Sequence, residues 1–159
     1  MDRLWSPWRY RYVSTASPEN ACVFCAKAAA SDDAGNYVIL RAELNFIVLN
    51  LYPYTNGHMM IAPYQHVASL AEAGQETIAE MMRLIARAEQ ALRQVYKPGG
   101  INIGMNLGEC AGAGVAGHIH MHILPRWVGD ASFMTTVGET RILPEELAVT
   151  YERLKAAIR

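Results

Sequence analysis

The sequence predicts an α+β domain in which a mainly antiparallel sheet packs against one long helix and a C-terminal helix. Three observations favour this class: short β-branched segments lie between turn residues, one long stretch has helical periodicity, and 159 residues suit a single domain. Apolar residues make up 52% of the chain and charged residues 18%, which excludes a disordered protein. We therefore expect one domain over residues 1–159.

Three short strands are expected in the first half of the chain. Residues 37–41 and 45–50 are rich in β-branched and aromatic side chains, and each segment lies between turn-forming residues. A loop with Pro and Asn-Gly turn chemistry follows, and residues 58–62 then have the pattern of a third strand. Because proline cannot donate a ladder hydrogen bond, Pro63 is expected to end this strand.

Residues 76–97 predict the longest helix, and the chain is expected to end in a second one. Apolar side chains recur at helical spacing in this segment, while Glu80 lies off the apolar stripe. The stripe consists of Ile78, Met81, Met82, Ile85, Ala88, Leu92 and Val95. We expect both methionines to fill the core. The last helix is expected from about Pro144, a favourable first helical residue, to residue 159.

Two further strands are expected, and the second carries three regularly spaced histidines. Residues 101–106 alternate like a strand, and another strand is expected over residues 118–124. In a strand, His118, His120 and His122 would share one face, and the apolar residues between them would anchor the other face. Neighbouring Cα atoms on one face lie about 6.5–7 Å apart, so the three rings can do different jobs.

A glycine-rich loop precedes the histidine strand. Residues 112–117 have the spacing G-x-G-x-x-G, but the dinucleotide fingerprint needs a helix after it, and here a strand pattern follows. We therefore reject dinucleotide binding by this loop. We favour a loop that contacts phosphate through backbone N–H groups, with Gly112 and Gly114 as its candidates, over a merely flexible turn.

The chain has only three cysteines, and an odd number cannot all pair within it, which argues against a disulfide scaffold. We therefore expect reduced thiols. Cys22-x-x-Cys25 could be a redox pair, half of a zinc site or an accident of sequence. Tetrahedral zinc needs two more ligands, and His66 and one histidine of the strand are available. We expect Cys110 to be a small apolar core residue.

Charge and hydropathy limit the partners of the chain. The formal net charge is −1, which argues against a general nucleic-acid binder. No apolar run approaches the ~20 residues of a membrane span, and the first residues do not resemble a secretory signal, so we expect a cytoplasmic protein. Residues 1–20 interleave aromatic and arginine residues. We expect an arm packed on the domain or on a neighbouring subunit, with a base-stacking platform as the alternative.

The segment from His118 to Leu124 matches the signature H-φ-H-φ-H-φ-φ, where φ is an apolar residue. Further matching segments are residues 49–63, 106–117 and 124–130. The chain resembles the histidine-triad (HIT) superfamily, and within it the fragile-histidine-triad branch and bacterial diadenosine tetraphosphate phosphorylase-like proteins. This resemblance implies one HIT domain, with an N-terminal arm at 1–20, a core at 22–135 and a C-terminal helix at 144–159.

The resemblance implies an enzyme that cleaves dinucleoside polyphosphates at the α-phosphate through a nucleotidyl-histidine intermediate. It implies that His120 is the nucleophile and that His122 contacts phosphate oxygens or the leaving group. His58 matches a fourth histidine of the same network. Two alternatives stay open: a nucleoside phosphoramidase, and a zinc-stabilised nucleotide-binding module without turnover.

The resemblance also implies substrate contacts, a structural zinc ion and a dimer. Asn50 matches a position that holds ribose, and Asn106 with Gly112 and Gly114 matches a segment that contacts phosphate. Some phosphorylase-like relatives lack the cysteine pair, whereas other HIT proteins carry it and bind zinc. The implied zinc ligands are Cys22, Cys25, His66 and His118. Relatives pair through the long helix and an edge strand, which implies a homodimer.

Overall fold

Five antiparallel strands form one sheet in a computed structural model that describes residues 22–138 and 144–158. The strands are β1 (Val38–Arg41), β2 (Asn45–Leu49), β3 (Met59–Pro63), β4 (Gly100–Met105) and β5 (Met121–Arg126). Their order across the sheet is β1-β2-β3-β5-β4, and all neighbours are antiparallel. The predicted α+β class is confirmed, while the arm expected at residues 1–20 lies outside the described residues.

Five helices accompany the sheet in the described part of the chain. They are α1 (Val23–Ala29), α2 (Leu70–Ala73), α3 (Gln75–Tyr96), α4 (Phe133–Thr136) and α5 (Leu147–Ala157). The long helix α3 is confirmed to within one residue at each end, whereas α1 was not expected. Among these five, none combines the length and the apolar composition that crossing a bilayer requires.

Helix α5 begins three residues later than predicted, because Glu146 is extended. Glu146 is the N-cap residue with φ −71° and ψ 151°, outside the helical region. The preceding Glu145 accepts a hydrogen bond from Thr150 Oγ1 at 2.7 Å and another from the Tyr96 hydroxyl. These contacts hold the segment against α3 before the helix begins.

Strand β5 also differs from its predicted bounds at both ends. It begins at Met121 and not at residue 118, because the N–H of Ile119 donates to the carbonyl of Val67 at 2.8 Å, outside the β3–β5 ladder. It continues through Pro125 to Arg126. Pro125 lies beyond the last residue of β5 that pairs with β3, so β3 requires no N–H donor at this position. The carbonyl of Pro125 instead accepts a hydrogen bond from Thr55 Oγ1 at 3.1 Å.

The two faces of the sheet bury separate apolar clusters. Ile47 and Leu49 of β2 face a core shared with α3 and α5. Phe46 and Val48 face the opposite side, where they pack with Phe24 of α1. This alternation is the period-two pattern of a strand buried on both faces. One face of the sheet thus rests on the long helix, and the other is covered by α1.

The apolar stripe of α3 needs one correction. Met82, expected in the core, is 49% exposed, whereas Glu80, expected outside the stripe, is only 9% exposed. The Glu80 carboxylate accepts hydrogen bonds from the N–H of Leu44, from the N–H of Glu43 and from Asn45 Nδ2, at 2.9, 3.1 and 2.7 Å. A buried carboxylate is stable there because it is fully hydrogen-bonded.

Candidate active site and metal cluster

The five histidines of the chain gather on the sheet face that α1 covers. Ring centroids are 5.1 Å apart for His58 and His122, and 4.9 Å apart for His120 and His122. His66 and His118 form a second pair, with centroids 5.1 Å apart. The structure therefore brings together all the histidines that sequence reasoning selected, as one group of three beside one group of two.

The hydrogen-bond partner of His120 determines which ring nitrogen carries its hydrogen. Nδ1 lies 2.9 Å from the backbone carbonyl of His118, and a carbonyl can only accept, so Nδ1 is the donor. In the neutral ring, Nε2 then holds the lone pair. Burial lowers the pKa of His120, against the opposing effect of this hydrogen bond, and keeps the imidazole neutral near pH 7.

A hydrogen-bond chain assigns the opposite arrangement to His122. The backbone N–H of Tyr54 donates to His58 Nδ1 at 3.1 Å, so the hydrogen of the His58 ring lies on Nε2. That Nε2 lies 2.9 Å from His122 Nδ1 and donates to it. The hydrogen of His122 is consequently on Nε2. Two neighbouring rings therefore have complementary properties: His120 Nε2 carries a lone pair and His122 Nε2 carries a proton.

The two asparagines predicted to contact substrate have different surroundings. Asn50 Nδ2 lies 3.3 Å from His58 Nδ1, and Asn50 Oδ1 accepts from the N–H of Tyr52 at 3.0 Å. Asn106 Nδ2 donates to the carbonyl of Gly112 at 3.3 Å. Asn50 is thus attached directly to the histidine network, and Asn106 holds the glycine-rich loop.

The glycine-rich loop begins with a 3₁₀ turn at Glu109–Ala111, and strand β5 follows it. Gly112 has φ +92°, which favours glycine, and its N–H donates to the carbonyl of Glu109 at 2.8 Å. Gly112 therefore allows the loop to turn, and its N–H is already engaged in a hydrogen bond within the loop. Gly114 lies further along the same loop. Cys110 is exposed in the 3₁₀ turn, so the prediction that it fills the core is wrong.

Four side chains form a cluster suited to a metal ion. The potential ligand atoms of Cys22, Cys25, His66 and His118 all lie within 4.8 Å of one another. His118 Nδ1 is 3.3 Å from Cys22 Sγ and 3.6 Å from Cys25 Sγ, and His66 Nδ1 is 3.3 Å from Cys25 Sγ. In tetrahedral zinc sites, sulfur and nitrogen ligands lie about 3.5 Å apart, so the donor set fits zinc.

A hydrogen bond outside the cluster prepares His118 to bind a metal. His118 is fully buried, and its Nε2 donates to the carbonyl of Pro63 at 2.9 Å. This bond leaves Nδ1 unprotonated and facing the two thiols, as is usual for metal-binding histidines. Burial also lowers the pKa of His118, which favours the neutral ring that a metal requires.

Sequence reasoning missed Arg41, which supports the helix that carries the cysteines. Its guanidinium donates to the backbone carbonyls of Lys27, Ala28 and Ala30 at 2.9, 2.8 and 2.7 Å. These are carbonyls at the C-terminal end of α1, which otherwise lack partners. Asp33 contacts the same guanidinium at 2.8 Å. An arginine at the end of a strand carries no sequence signal for this function.

A five-stranded antiparallel sheet with grouped histidines on one face defines a histidine-triad fold. The family described as "HIT domain" matches residues 32–128 of this chain. The chain therefore belongs to the HIT domain family. Cys22 and Cys25 precede the matched residues.

Similar proteins of known name and structure share this family. The chain is 39% identical to "AP-4-A phosphorylase" of Mycobacterium tuberculosis, over 94% of this chain and 80% of that protein. It is 30% identical to "Bis(5'-nucleosyl)-tetraphosphatase [asymmetrical]" of Schizosaccharomyces pombe, over 62% and 53%. The crystal structure of a zinc-bound histidine triad family protein from Mycobacterium smegmatis superposes with a TM-score of 0.71 at 34% identity, covering 87% of this chain and 93% of that one.

Proposed function

We propose that this chain is an enzyme that cleaves dinucleoside polyphosphates, such as diadenosine tetraphosphate, at an α-phosphate. The observation that carries the proposal is the hydrogen bond from His120 Nδ1 to the His118 carbonyl, because it leaves the Nε2 lone pair of a neutral ring available for attack. The names of the mycobacterial phosphorylase and the yeast tetraphosphatase support this substrate class.

Two displacements at phosphorus make up the proposed reaction. His120 Nε2 attacks the α-phosphorus, and the bond to the leaving nucleotide's oxygen breaks, which gives a nucleotidyl-histidine. His122 Nε2–H donates to a phosphate oxygen or to the leaving oxygen, and His58 maintains that donor state through Nδ1 of His122. Water or inorganic phosphate then attacks the same phosphorus, which releases a nucleoside monophosphate or diphosphate and restores His120.

The remaining predicted residues have supporting functions in this proposal. In this proposal Asn50 holds the ribose, and its contact with His58 at 3.3 Å supports a position near the reacting phosphate. Asn106 and the loop containing Gly112 and Gly114 contact the phosphates, with Asn106 fixing the loop through the Gly112 carbonyl. Binding groups of this kind accelerate the reaction by holding the α-phosphate in line with the nucleophile.

We also propose that Cys22, Cys25, His66 and His118 hold one structural zinc ion. Zinc with four protein ligands supplies structure and not catalysis, because no coordination position remains for water. The fit of the donor set and the zinc-bound mycobacterial relative support this proposal. His118 would link the two sites, since its side chain binds the metal and its carbonyl orients His120.

A homodimer formed by single HIT domains, with the predicted core at 22–135, is part of the proposal. Strand β4 is at an edge of the sheet, where Ile103 is 46% exposed, and Met82 of α3 is 49% exposed. Ile103 pairs with Ile123, whose side chain packs in the core beneath α3, so Ile103 and α3 are on the same side of the sheet. A sedimentation mass of one chain would contradict the dimer.

Product analysis with diadenosine tetraphosphate tests the activity. ADP and ATP formed only with added phosphate indicate phosphorolysis, whereas AMP and ATP formed without it indicate hydrolysis. Absence of both product pairs would contradict the proposed function and leave the phosphoramidase and the binding module to be tested.

His120→Asn tests the nucleophile. We expect turnover to fall by about 10³-fold or more, while nucleotide binding persists, because the amide cannot form the covalent intermediate. Mass spectrometry of the wild-type protein, quenched during turnover, should find one nucleotidyl group on His120. A variant that keeps wild-type turnover would remove His120 from this function.

A further inference from the structure

Phe24 lies between the two cysteines of the metal cluster in the sequence, and its ring lies against the candidate active site in the structure. It lies between Cys22 and Cys25 along the chain, and its side chain is only 2% exposed. Its ring centroid is 4.6 Å from that of His120, with the two planes inclined by 34°. The same ring is 5.2 Å from that of His118. The short segment that presents both thiols therefore also places an aromatic ring against the candidate nucleophile.

The position of the Phe24 ring depends on the first turn of α1. Cys22 is the N-cap of this helix, and its carbonyl accepts from the N–H of Ala26 at 2.9 Å, so Cys22, Phe24 and Cys25 are all within that turn. The ring is inserted between the imidazoles and the apolar cluster of the sheet. That cluster contains Val38, Phe46, Val48, Met60 and Ala62. A shift of either cysteine must move the ring.

The hydrogen bond from Nδ1 fixes only one edge of the His120 ring. Rotation about this bond would swing Nε2 away from its line of attack. The tilted contact with the Phe24 ring at 4.6 Å and the edge contact with His122 at 4.9 Å limit that rotation. Displacement of a reacting group by about 1 Å can cost 10²-fold in rate, so this contact is important for alignment.

We propose that Phe24 is a positioning residue that makes the alignment of His120 depend on the Cys22–Cys25 metal cluster. While a metal holds the two thiolates together, the first turn of α1 is fixed and the ring is seated on His120. When the metal leaves, the turn loosens and His120 loses this support. The inference rests on the proposed function only where it concerns catalysis, because the dependence of ring contact on metal can be measured without substrate.

The contact is tested by NMR on protein labelled with ¹³C-histidine. The His120 Cε1–H resonance is assigned by its loss in His120→Asn, and the ring current of Phe24 shifts it in the zinc-loaded protein. We expect removal of zinc with a chelator to move this resonance toward its position in zinc-loaded Phe24→Leu. In Phe24→Leu itself, removal of zinc should move the resonance clearly less than in the wild type, because only the effect carried by the His118 carbonyl remains.

Phe46→Leu is the matched control. Phe46 is fully buried in the same apolar cluster, where it stacks on Tyr64 with centroids 5.5 Å apart. Both variants remove a buried aromatic ring from one cluster, but of these two phenylalanines it is Phe24 whose ring contacts His120, while the ring of Phe46 stacks on Tyr64. We expect the His120 resonance of Phe46→Leu to respond to zinc removal as in the wild type.

Kinetics with diadenosine tetraphosphate give the second readout. At equal zinc content, Phe24→Leu should lower kcat by about 10- to 100-fold, with KM changed by less than about twofold, because alignment and not binding is lost. Phe46→Leu should keep kcat within about twofold. If Phe24→Leu does not fold or load zinc, Phe24→Met replaces it, because the unbranched methionine side chain adapts to irregular gaps in a core.

The outcomes separate this inference from the proposed function. An equal response of the His120 resonance to zinc removal in wild type, Phe24→Leu and Phe46→Leu would overturn the coupling. Equal kcat values of the two variants would overturn the positioning of His120 by Phe24, even with active wild type. An inactive wild type would overturn the proposed function, and the NMR result would still decide whether Phe24 links cluster and histidine.

Discussion

His120 is nearly fully buried, although the proposed function requires its ring to reach a substrate. Burial lowers its pKa and excludes the charged ring, while the His118 carbonyl fixes the hydrogen on Nδ1. His122, two residues further along the chain, has its hydrogen fixed on Nε2 by His58. The division into one lone pair and one proton therefore follows from the different partners of the two rings, a backbone carbonyl for His120 and the His58 ring for His122.

The lowered pKa of His120 predicts the pH dependence of the reaction. Attack requires the neutral ring, and a pKa below the ordinary 6.5 means that this form persists at lower pH. We expect kcat/KM for diadenosine tetraphosphate to rise with pH along a limb whose apparent pKa is below 6.5. A limb centred at or above that value would contradict the assignment of burial as the dominant influence.

Helix α1 has no long apolar face to hold it, so its attachment relies on specific groups at its ends. The cysteines are at its beginning, and the Arg41 guanidinium satisfies three carbonyls near its end. We expect Arg41→Lys to lower the free energy of unfolding by about 1–3 kcal/mol, because an ammonium cannot reach all three carbonyls in a planar fork. Chemical denaturation and the rate of zinc loss to a chelator measure this effect.

Arg93→Lys is the control for that experiment. Arg93 has a side-chain exposure of 57% and pairs with Glu89 at 2.8 Å on the surface of α3. Exposed pairs of this kind contribute about 0–1 kcal/mol, so its substitution should change neither stability nor zinc loss appreciably. Equal effects of the two substitutions would show that Arg41 does not anchor α1.

Helix α3 is attached to the β1–β2 turn through Glu80. Burial, the largest influence, raises the pKa of this carboxyl, but hydrogen bonds from Asn45, Leu44 and Glu43 together outweigh it, and the pKa is lowered. The folded protein thus favours the charged form. Its stabilisation is complete above the ordinary value of 4.5 and is lost as pH falls through the lowered pKa.

Glu80→Gln should therefore destabilise the protein by about 1–3 kcal/mol at pH 7, since one acceptor oxygen becomes a donor facing N–H groups. The difference from wild type should shrink as the pH is lowered past the lowered pKa. Urea denaturation at a series of pH values measures both effects. Glu76→Gln, at an exposed position in the first turn of the same helix, should show neither.

The metal cluster joins parts of the chain that are far apart, because Cys25 and His118 are 93 residues apart in sequence. We expect about one zinc ion per chain by metal analysis, and a lower unfolding temperature once a chelator removes it, since a ligand of the folded state alone stabilises that state. Cys25→Ser should lose the zinc, whereas Cys110→Ser, at an exposed position, should keep it. Protein purified without chelator that contains no zinc would refute the site.

Much of this architecture could be predicted because it depends on local rules. The limits of α3 follow from its helical periodicity, and β2 follows from β-branched and aromatic residues that lie between turn residues. The period of a strand predicts that His120 and His122 lie side by side, and their ring centroids are 4.9 Å apart although His120 precedes β5. Where the local rules failed, tertiary contacts intervened: Val67 draws Ile119 out of the ladder, and Glu145 delays the start of α5.

The order of residues in the chain was enough to identify the histidine-triad family, because histidines that alternate with apolar residues are encoded within a few positions. It could not show that the Phe24 ring contacts His120 or that Arg41 donates to the carbonyls at the end of α1. Those contacts exist because α1 packs across the sheet, and long-range packing is a property of many side chains together. The protonation of the ring nitrogens that distinguishes His120 from His122 is likewise set by their hydrogen-bond partners, the His118 carbonyl and the His58 ring, and folding brings His58 and His122 together across 64 residues.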